Sequence, residues 1–344
     1  MIKYLGSKRT LLPVILDVIG KLPEVRTVAD LFSGTARVGH ALKRAGYAVR
    51  SNDHNAYAAT LARCYVQADA EDWTRDAAKL VDEFNALPGA AGYFTDTFCE
   101  KSRFFRPANG ARVDAIREAI AAKDLPHELE AVMLVALMEA ADRVDSTTGV
   151  QMAYLKRWAP RAHNDLELRV PALLPRAAHG KADVHQLDAL DAAGQLHADV
   201  VYLDPPYNQH SYLGNYHVWE SLVRWDKPEV YGKACKRVDV RERQSVFNSK
   251  RKFADAFEQL LRAVRCRVLI ISFNNEGYLD RPAMEALLHR CFPDRRVTTV
   301  ENDFKRYVGA QIGIHNPAGA KVGTVSHLRN KEYVFVVSGL AASG

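Results

Sequence analysis

The sequence predicts an α/β fold: a doubly wound, mainly parallel sheet of seven strands with an inserted helical region. Short apolar runs that suit buried strands alternate with segments of helical spacing, as in sheets built from strand–helix–strand units. Two of these runs, 27–30 and 200–204, end at an aspartate. The stretch 69–181 is helical and unlike the sheet-forming parts. We therefore expect one sheet whose strands lie on both sides of an insertion.

The N-terminal segment places Lys8 and Arg9 just ahead of a helical pattern. Cations at a helix start oppose the helix dipole, so they indicate a bound anion, such as the carboxylate of a small ligand. A solvated terminus is the alternative interpretation.

The first strand is predicted to lead into a loop of small residues and then a helix to about residue 45. A second strand ends at Asp53, where doubly wound folds hold an acid for ribose hydroxyls. Because no Gly-x-Gly-x-x-Gly or Gly-Lys-Ser/Thr motif is present, a nucleoside ligand without pyrophosphate is favoured, and S-adenosylmethionine fits. The candidate cofactor residues of this part are Asp30, Phe32, Ser33, Gly34, Thr35 and Asp53.

The insertion carries basic and aromatic residues in alternation at 97–106 and 149–169. This pattern suits phosphate contacts combined with base stacking, so 69–181 is predicted to recognise a nucleic-acid target. The candidate DNA-contacting residues in it are Lys156, Arg157 and Arg161.

A late pair of strands carries the reactive chemistry. A strand over 182–190 is predicted to end in Asp188, which either lies near the adenine of a cofactor or simply caps a helix. The next strand stops at Asp204, and Pro205 and Pro206 then forbid both helix and sheet pairing. The Asp204 carboxylate and the Pro205 carbonyl can accept both hydrogens of an exocyclic amine, while Tyr207 covers the ring face. Such hydrogen bonds leave the amine nitrogen nucleophilic; a plain strand followed by a Pro-Pro turn is the alternative.

Positive charge is concentrated in the segment that follows this loop in the sequence. Residues 224–252 hold ten Lys and Arg against four acids, a surplus that equals the net +6 of the whole chain. Such a cluster favours phosphate contact, although a solvated basic surface is the common alternative. The candidate residues are Lys233, Lys236, Arg237, Arg241 and Arg243.

Composition limits the classes of protein to which the chain can belong. Five widely spaced cysteines form no Cys-x-x-Cys pair, which indicates a reducing cytoplasm and neither a disulfide framework nor a zinc site. No apolar run reaches the length needed to span a membrane, and the N-terminus lacks a signal-peptide core. We expect a cytoplasmic protein without a metal.

Taken together, the motifs resemble the DNA adenine methyltransferases of the Dam type, in which the cofactor loop comes first and the catalytic loop late. The resemblance rests on Lys3-Tyr4-x-Gly-x-Lys8, Asp30-x-Phe32-Ser33-Gly34-Thr35, Asp53 and Asp204-Pro205-Pro206-Tyr207. It implies that Tyr4, Lys8 and Asp53 contact S-adenosylmethionine and that Asp204 joins the cofactor and substrate sites. Tyr4 stands where the Dam proteins usually have tryptophan. Asn208 and the later motif 271–277 are similar to a restriction-linked subset that recognises short asymmetric sites.

The sequence thus predicts methyl transfer to the N6 amine of a flipped adenine in double-stranded DNA. Residues 1–68 and 182–344 would form the catalytic domain and 69–181 the target-recognition region, with a cognate restriction endonuclease as a further partner. Three alternatives stay open: an RNA base methyltransferase, a cytosine-amine target, and a non-catalytic DNA-binding protein on the same scaffold.

Overall fold

The computed structural model describes residues 1–4, 8–305, 314–315, 321–323 and 329–339. The glycine of the N-terminal motif, Gly6, lies outside the described residues. The fold is a seven-stranded sheet with helices on both faces, which confirms the predicted fold class.

The sheet has the order β3-β2-β1-β4-β5-β7-β6 when its strands are numbered along the chain. Every pairing among the first five strands in this order is parallel, whereas β7 runs antiparallel to both of its neighbours. The strands are Thr27–Asp30 (β1), Ala48–Asn52 (β2), Asp183–His185 (β3), Ala198–Leu203 (β4), Cys266–Asn274 (β5), Arg295–Lys305 (β6) and Arg329–Gly339 (β7). The carboxyl ends of β1, β2 and β4 therefore meet at one edge, where α/β sheets bind ligands.

Twelve α-helices are present in the described part of the chain. They are Leu12–Gly20 (α1), Arg37–Arg44 (α2), Ala56–Ala62 (α3), Ala70–Asn85 (α4), Tyr93–Thr95 (α5), Pro107–Ala122 (α6), His127–Arg143 (α7), Ala189–Gln195 (α8), Tyr212–Asn215 (α9), His217–Arg224 (α10), Phe253–Ala263 (α11) and Arg281–Cys291 (α12). A short β-ribbon pairs Val230–Tyr231 with Lys236–Arg237 inside the basic segment.

Alternating strand residues divide the core into two layers. Along β4, Val200 and Tyr202 belong to one buried cluster and Val201 and Leu203 to the other, as the pleat of a strand requires. The first layer contains α1–α4, α6, α7 and α10, and the second contains α8, α11 and α12. Both faces of the sheet are thus covered, which explains why its strands are apolar on both sides.

The helical insertion packs directly on the sheet layer. Helix α7 is buried along most of its length, including Val132, Leu134, Val135 and Met138, and belongs to the same cluster as β1 and β4. Helix α7 lies in the stretch 69–181 that the sequence predicts to be helical, and it forms core as well as a support for the loops that follow it. Whether 69–181 also reads a target stays a prediction.

The predicted strand over 182–190 is shorter than the pattern suggested. It ends at His185, and Asp188 instead caps α8, where Oδ1 accepts the Leu190 backbone N–H at 2.9 Å. The capping preference of an aspartate ahead of a helix explains the early end of the strand.

A buried carboxylate, Asp114 of α6, holds the start of the turn at 92–95. It accepts the backbone N–H groups of Gly92, Phe94 and Thr95 and the Thr95 hydroxyl at 2.6–2.9 Å. We expect Asp114→Ala to lower the free energy of unfolding by about 3 kcal/mol, because it leaves several buried donors without an acceptor. Urea denaturation measures this. The exposed Asp17→Ala is the matched control, and an equal loss in both variants would contradict the assignment.

Candidate active site

One cavity of about 340 Å³ lies at the carboxyl edge of the sheet. It gathers the predicted acids Asp30, Asp53 and Asp204, which are distant in sequence, together with the loop after β1. The wall opposite comes from the end of the basic segment, residues 242–248. The other sequence-predicted residues that line it are Tyr4, Lys8, Phe32, Ser33, Gly34, Thr35, Asp188 and Pro206.

The Asp204 carboxylate is held from one side only. Its Oδ1 lies 3.1 Å from the Lys8 ammonium and accepts the Ser272 hydroxyl at 3.0 Å. The Ser272 hydroxyl in turn lies 2.8 Å from the hydroxyl of the buried Tyr202. Among the described residues no donor contacts Oδ2 or the neighbouring Pro205 carbonyl. Asp204 lines the cavity, whereas the buried Pro205 and the ring-bearing Tyr207 are not among its lining residues.

Lys8 is a buried cation between two carboxylates. Besides Asp204, its ammonium contacts Glu332 Oε1 of β7 at 3.4 Å. Burial lowers the pKa of Lys8, but the charges of Asp204 and Glu332 outweigh burial and leave that pKa well above its ordinary value. Lys8 is therefore a permanent positive charge at the reactive carboxylate.

The ring of Tyr207 is fixed by two contacts. Its hydroxyl accepts the Asn274 side-chain amide at 2.9 Å, and Phe273 packs against its face edge-on at 5.2 Å. The Tyr278 backbone N–H also donates to the Tyr207 carbonyl. The Tyr207 ring is consequently preorganised before any base is present.

The loop after Tyr207 is clamped by the end of the basic segment. The Asn248 amide donates to the carbonyls of Asn208 and His210 at 2.8 and 3.1 Å. Tyr278 closes the clamp, because its hydroxyl donates to the Asn248 carbonyl at 2.8 Å. The catalytic loop and the segment expected to contact DNA are thus joined by side-chain hydrogen bonds.

The loop after β1 is tied to the end of β2. Asp53 Oδ2 accepts the Gly34 backbone N–H at 2.9 Å, and Oδ1 accepts that of Asn55 at the start of α3. Gly34 has a φ of 51°, a left-handed conformation that favours glycine. Asn52 adds side-chain hydrogen bonds to the backbones of Leu31 and Leu187. The predicted cofactor loop is therefore a rigid cradle.

Four polar groups in this cradle lack partners among the described residues. They are Asp30 Oδ1, Ser33 Oγ, Arg37 Nε and Asn55 Oδ1, and all four residues line the cavity. Burial, followed by the charges of Asp204 and Asp53, raises the pKa of Asp30 to about 8. Unpaired buried polar atoms are rare, and here they indicate a polar ligand.

Tyr4 does not offer its ring faces to the cavity. It lies between the parallel rings of Tyr212 and Tyr216, with centroids at 5.2 and 4.5 Å. Its hydroxyl edge instead approaches Tyr57 and the position of Gly34. Any contact of Tyr4 with a ligand would therefore use this edge.

Three of the predicted DNA-contacting cations are already paired with acids. Arg237 is buried and makes two hydrogen bonds of 2.7 Å with Asp226 and two of 2.9 Å with Asp239. Arg243 pairs with the buried Glu220 at 2.8 Å, and Arg161 with Asp145 at 2.7 Å. In this structure these guanidinium groups stabilise the protein, so the charge count overstated what the segment offers to a phosphate.

The other predicted cations remain accessible. Lys156, Arg157, Lys233 and Arg241 are exposed, Lys236 is half-buried, and none of the five forms an ion pair with a described residue. The Arg241 guanidinium stacks on the Tyr231 ring at 4.0 Å. These side chains keep their charge available to an anionic partner.

His217 is a packed residue. It is fully buried, and its Nε2 lies 2.8 Å from the Gln151 carbonyl. Burial lowers its pKa to about 3, so its imidazole is neutral at physiological pH. We therefore assign His217 to packing and not to general-base catalysis. Within the described ranges no group of three or more His, Cys, Asp or Glu could hold a metal ion, and no helix is long and apolar enough to cross a membrane.

Sequence reasoning assigned no site role to the residues that support the site: Asn52, Ser272, Asn274, Asn248, Arg37 and Glu332, although Ser272 and Asn274 lie in the motif 271–277. A polar residue inside an apolar strand, such as Ser272 in β5, is a signal that could have identified one of them. Glu332 in the apolar β7 is a second such signal.

Comparisons with known proteins identify the family of the chain. The chain is 30% identical to Type II methyltransferase M.FokI of Planomicrobium okeanokoites over 83% of its length, but spans 46% of that protein. It is 28% identical to Type II methyltransferase M.NlaIII of Neisseria lactamica, over 96% of this chain and 99% of that one. It matches modification methylase StsI of Streptococcus sanguinis at 27% identity over 90% of its length, again spanning about half of the relative. The model of the D12 class of N6 adenine-specific DNA methyltransferases matches residues 4–268, and the chain belongs to this family.

Proposed function

We propose that this protein methylates the N6 amine of adenine at a specific site in double-stranded DNA, with S-adenosylmethionine as the methyl donor. The observation that carries the proposal is the arrangement of acceptors at the cavity. Among the described residues Asp204 Oδ2 and the Pro205 carbonyl have no hydrogen-bond donor, and the fixed Tyr207 ring belongs to the same loop. The same cavity contains the cradle formed by Asp53 and Gly34.

In this mechanism the adenine is flipped out of the duplex, which costs a few kcal/mol of stacking and pairing. Tyr207 stacks on the flipped base, and Asp204 and the Pro205 carbonyl accept the two amine hydrogens. The amine lone pair is then directed at the methyl group that the bound cofactor supplies. Most of the rate enhancement comes from holding the reactants in line. The amine nitrogen would release its extra proton to solvent only after methyl transfer, so no strong base is needed.

The residues of the cradle fit the cofactor. A nucleoside with an amino-acid tail brings hydroxyl, ammonium and carboxylate groups, and the unpaired atoms are of matching types. Asp53 would bind ribose hydroxyls, Asp30 and Ser33 would accept donors, and Arg37 would meet an anion. Phe32, Thr35, Asp188 and the Tyr4 edge complete the proposed cofactor set, with Lys8 acting through Asp204.

DNA would approach across the exposed cations. Lys233, Lys236 and Arg241 are proposed to contact phosphates, and Lys156 and Arg157 in 69–181 to take part in target recognition. The names of the relatives, Type II methyltransferase and modification methylase, support a cognate restriction endonuclease as a proposed partner, and a DNA substrate supports a cytoplasmic location.

Tritium transfer from labelled cofactor into duplex DNA and into ribosomal RNA tests the proposal. We expect label in DNA alone, and mapping of the modified bases to give N6-methyladenine in one short sequence. Label in RNA, or on cytosine, would replace the proposed substrate.

Asp204→Ala is expected to reduce methylation by about 10³-fold or more, since both the amine acceptor and the charge facing Lys8 are lost. The fold and much of the cofactor affinity should persist, which calorimetry of cofactor binding measures. Near wild-type turnover in this variant would refute the mechanism.

Asp53→Ala should raise KM for S-adenosylmethionine about tenfold or more while turnover at saturating cofactor changes little, because a ribose contact is mostly ground-state binding. Steady-state kinetics with varied cofactor measures both constants. If KM stays constant, the placement of the cofactor is wrong.

Lys233→Gln/Arg241→Gln should weaken binding to target and scrambled duplexes alike. Each lost phosphate contact should also flatten the log–log salt slope by about 0.9. Lys21→Gln/Lys79→Gln, with the same charge change on exposed helix surfaces, is the control.

In contrast, Lys156→Ala/Arg157→Ala should alter which sites are methylated. Relaxed site preference in the first pair at an unchanged slope would exchange the two roles.

A further inference from the structure

The Lys8 ammonium is shared by two carboxylates on different elements. It lies 3.1 Å from Asp204 Oδ1 and 3.4 Å from Glu332 Oε1, and the three side chains are 6%, 19% and 9% exposed. Glu332 is a buried glutamate near the start of β7, 324 residues away from Lys8 along the chain. The proposed reaction uses Asp204 but gives Glu332 no task.

Lys8 is the neighbouring cation that stabilises the charged form of Glu332. In the sheet, its register partners are the neutral Asn274 on β5 and Asn302 on β6. The titratable groups that face it are Lys8 from the N-terminal segment and Asp204 from the loop after β4. Tyr207 of that loop also lies within electrostatic reach.

The charge balance has a consequence for Asp204. A lysine paired with one buried carboxylate would neutralise it and draw electron density away from the oxygen needed for the amine. A second carboxylate takes part of that attraction and leaves the group of three with one net negative charge. Because the site is buried, the effect is larger than it would be in water.

We propose that Glu332 is a positioning residue for methyl transfer: by sharing Lys8 it anchors Asp204 Oδ1 while keeping Oδ2 a strong acceptor for the adenine amine. This inference rests on the proposed function and adds a residue from the last strand to its machinery.

Protonation of Glu332 should switch this effect off. Burial raises the pKa of Glu332 above its ordinary value, although Lys8 opposes the shift. Once Glu332 is neutral, the whole charge of Lys8 acts on Asp204. The rate of methyl transfer should therefore be high above the pKa of Glu332 and fall as pH decreases through it.

The test is the single-turnover rate of methyl transfer, measured against pH with cofactor and DNA saturating. We expect the rate of Glu332→Gln to be about tenfold lower at pH 8, which is the factor that an interaction energy equivalent to about one pKa unit produces. At acidic pH its rate should approach that of the wild type, because Gln imitates the protonated residue. Glu301→Gln, on the neighbouring strand and paired with Lys331 and Arg281, is the matched control and should keep the wild-type profile.

A reciprocal variant separates this role from a merely structural one. Lys8→Gln leaves two buried carboxylates without a cation between them, and their repulsion should slow transfer. Adding Glu332→Gln to Lys8→Gln relieves the repulsion, so the double variant should be faster than Lys8→Gln alone. Glu332→Asp keeps the charge and should retain the acidic limb. A uniform loss of rate with an unchanged pH profile, or losses that simply add, would overturn the proposal.

A measurement without cofactor or DNA keeps the two proposals distinct. Urea unfolding of the wild type, Lys8→Gln, Glu332→Gln and the double variant gives the coupling free energy between Lys8 and Glu332. This coupling should be favourable at pH 8 and shrink as Glu332 is protonated. A wild type that methylates no DNA would refute the proposed function while this coupling persists. An active wild type without coupling would refute the role of Glu332 alone.

Discussion

The structure depends on how it accommodates several carboxylates at one buried edge of the sheet. Asp30, Asp53, Asp204 and Glu332 converge there because parallel strands bring their carboxyl ends together and β7 enters from the opposite direction. Unpaired buried charges are prohibitively costly, so each must be neutralised or hydrogen-bonded. The arrangement of these partners determines which oxygen atoms remain free for chemistry.

Each acid is stabilised differently, and the differences define the roles. Asp53 accepts backbone N–H groups, which turns it into the clasp of the cofactor cradle. Asp204 contacts the Lys8 ammonium and accepts the Ser272 hydroxyl, both through Oδ1, which leaves Oδ2 without a donor among the described residues. Asp30 has a pKa of about 8 and is largely protonated at neutral pH until a cationic or donor group approaches. A single electrostatic problem thus yields a clasp, an acceptor and a responsive site.

Sequence alone was sufficient for the features set by local rules. The prolines after Asp204 end a strand wherever they occur, and the apolar runs of β4 and β5 identify buried strands. The partnership of Lys8 with Glu332 could not be predicted, because it joins opposite ends of the chain and depends on strand order. The extent of β3 was overestimated since Asp188 suits a helix cap as well as a strand end. Local patterns fix elements, whereas pairing of charges is a property of the assembled fold.

The basic segment shows why the same limit applies to function. Four of its ten cations, Arg224, Lys227, Arg237 and Arg243, are paired with acids. Fewer cations are therefore available for contact with DNA than the count of Lys and Arg in the segment suggests. The pairing of Arg243 also has a positive use. Glu220 accepts Arg243 and, through its other oxygen, the backbone N–H of Tyr57 in the first turn of α3, directly after the Asp53 clasp. Since Asn248 of the same segment clamps the loop after Tyr207, movement imposed by DNA on this segment would reach both halves of the cavity through these side-chain hydrogen bonds.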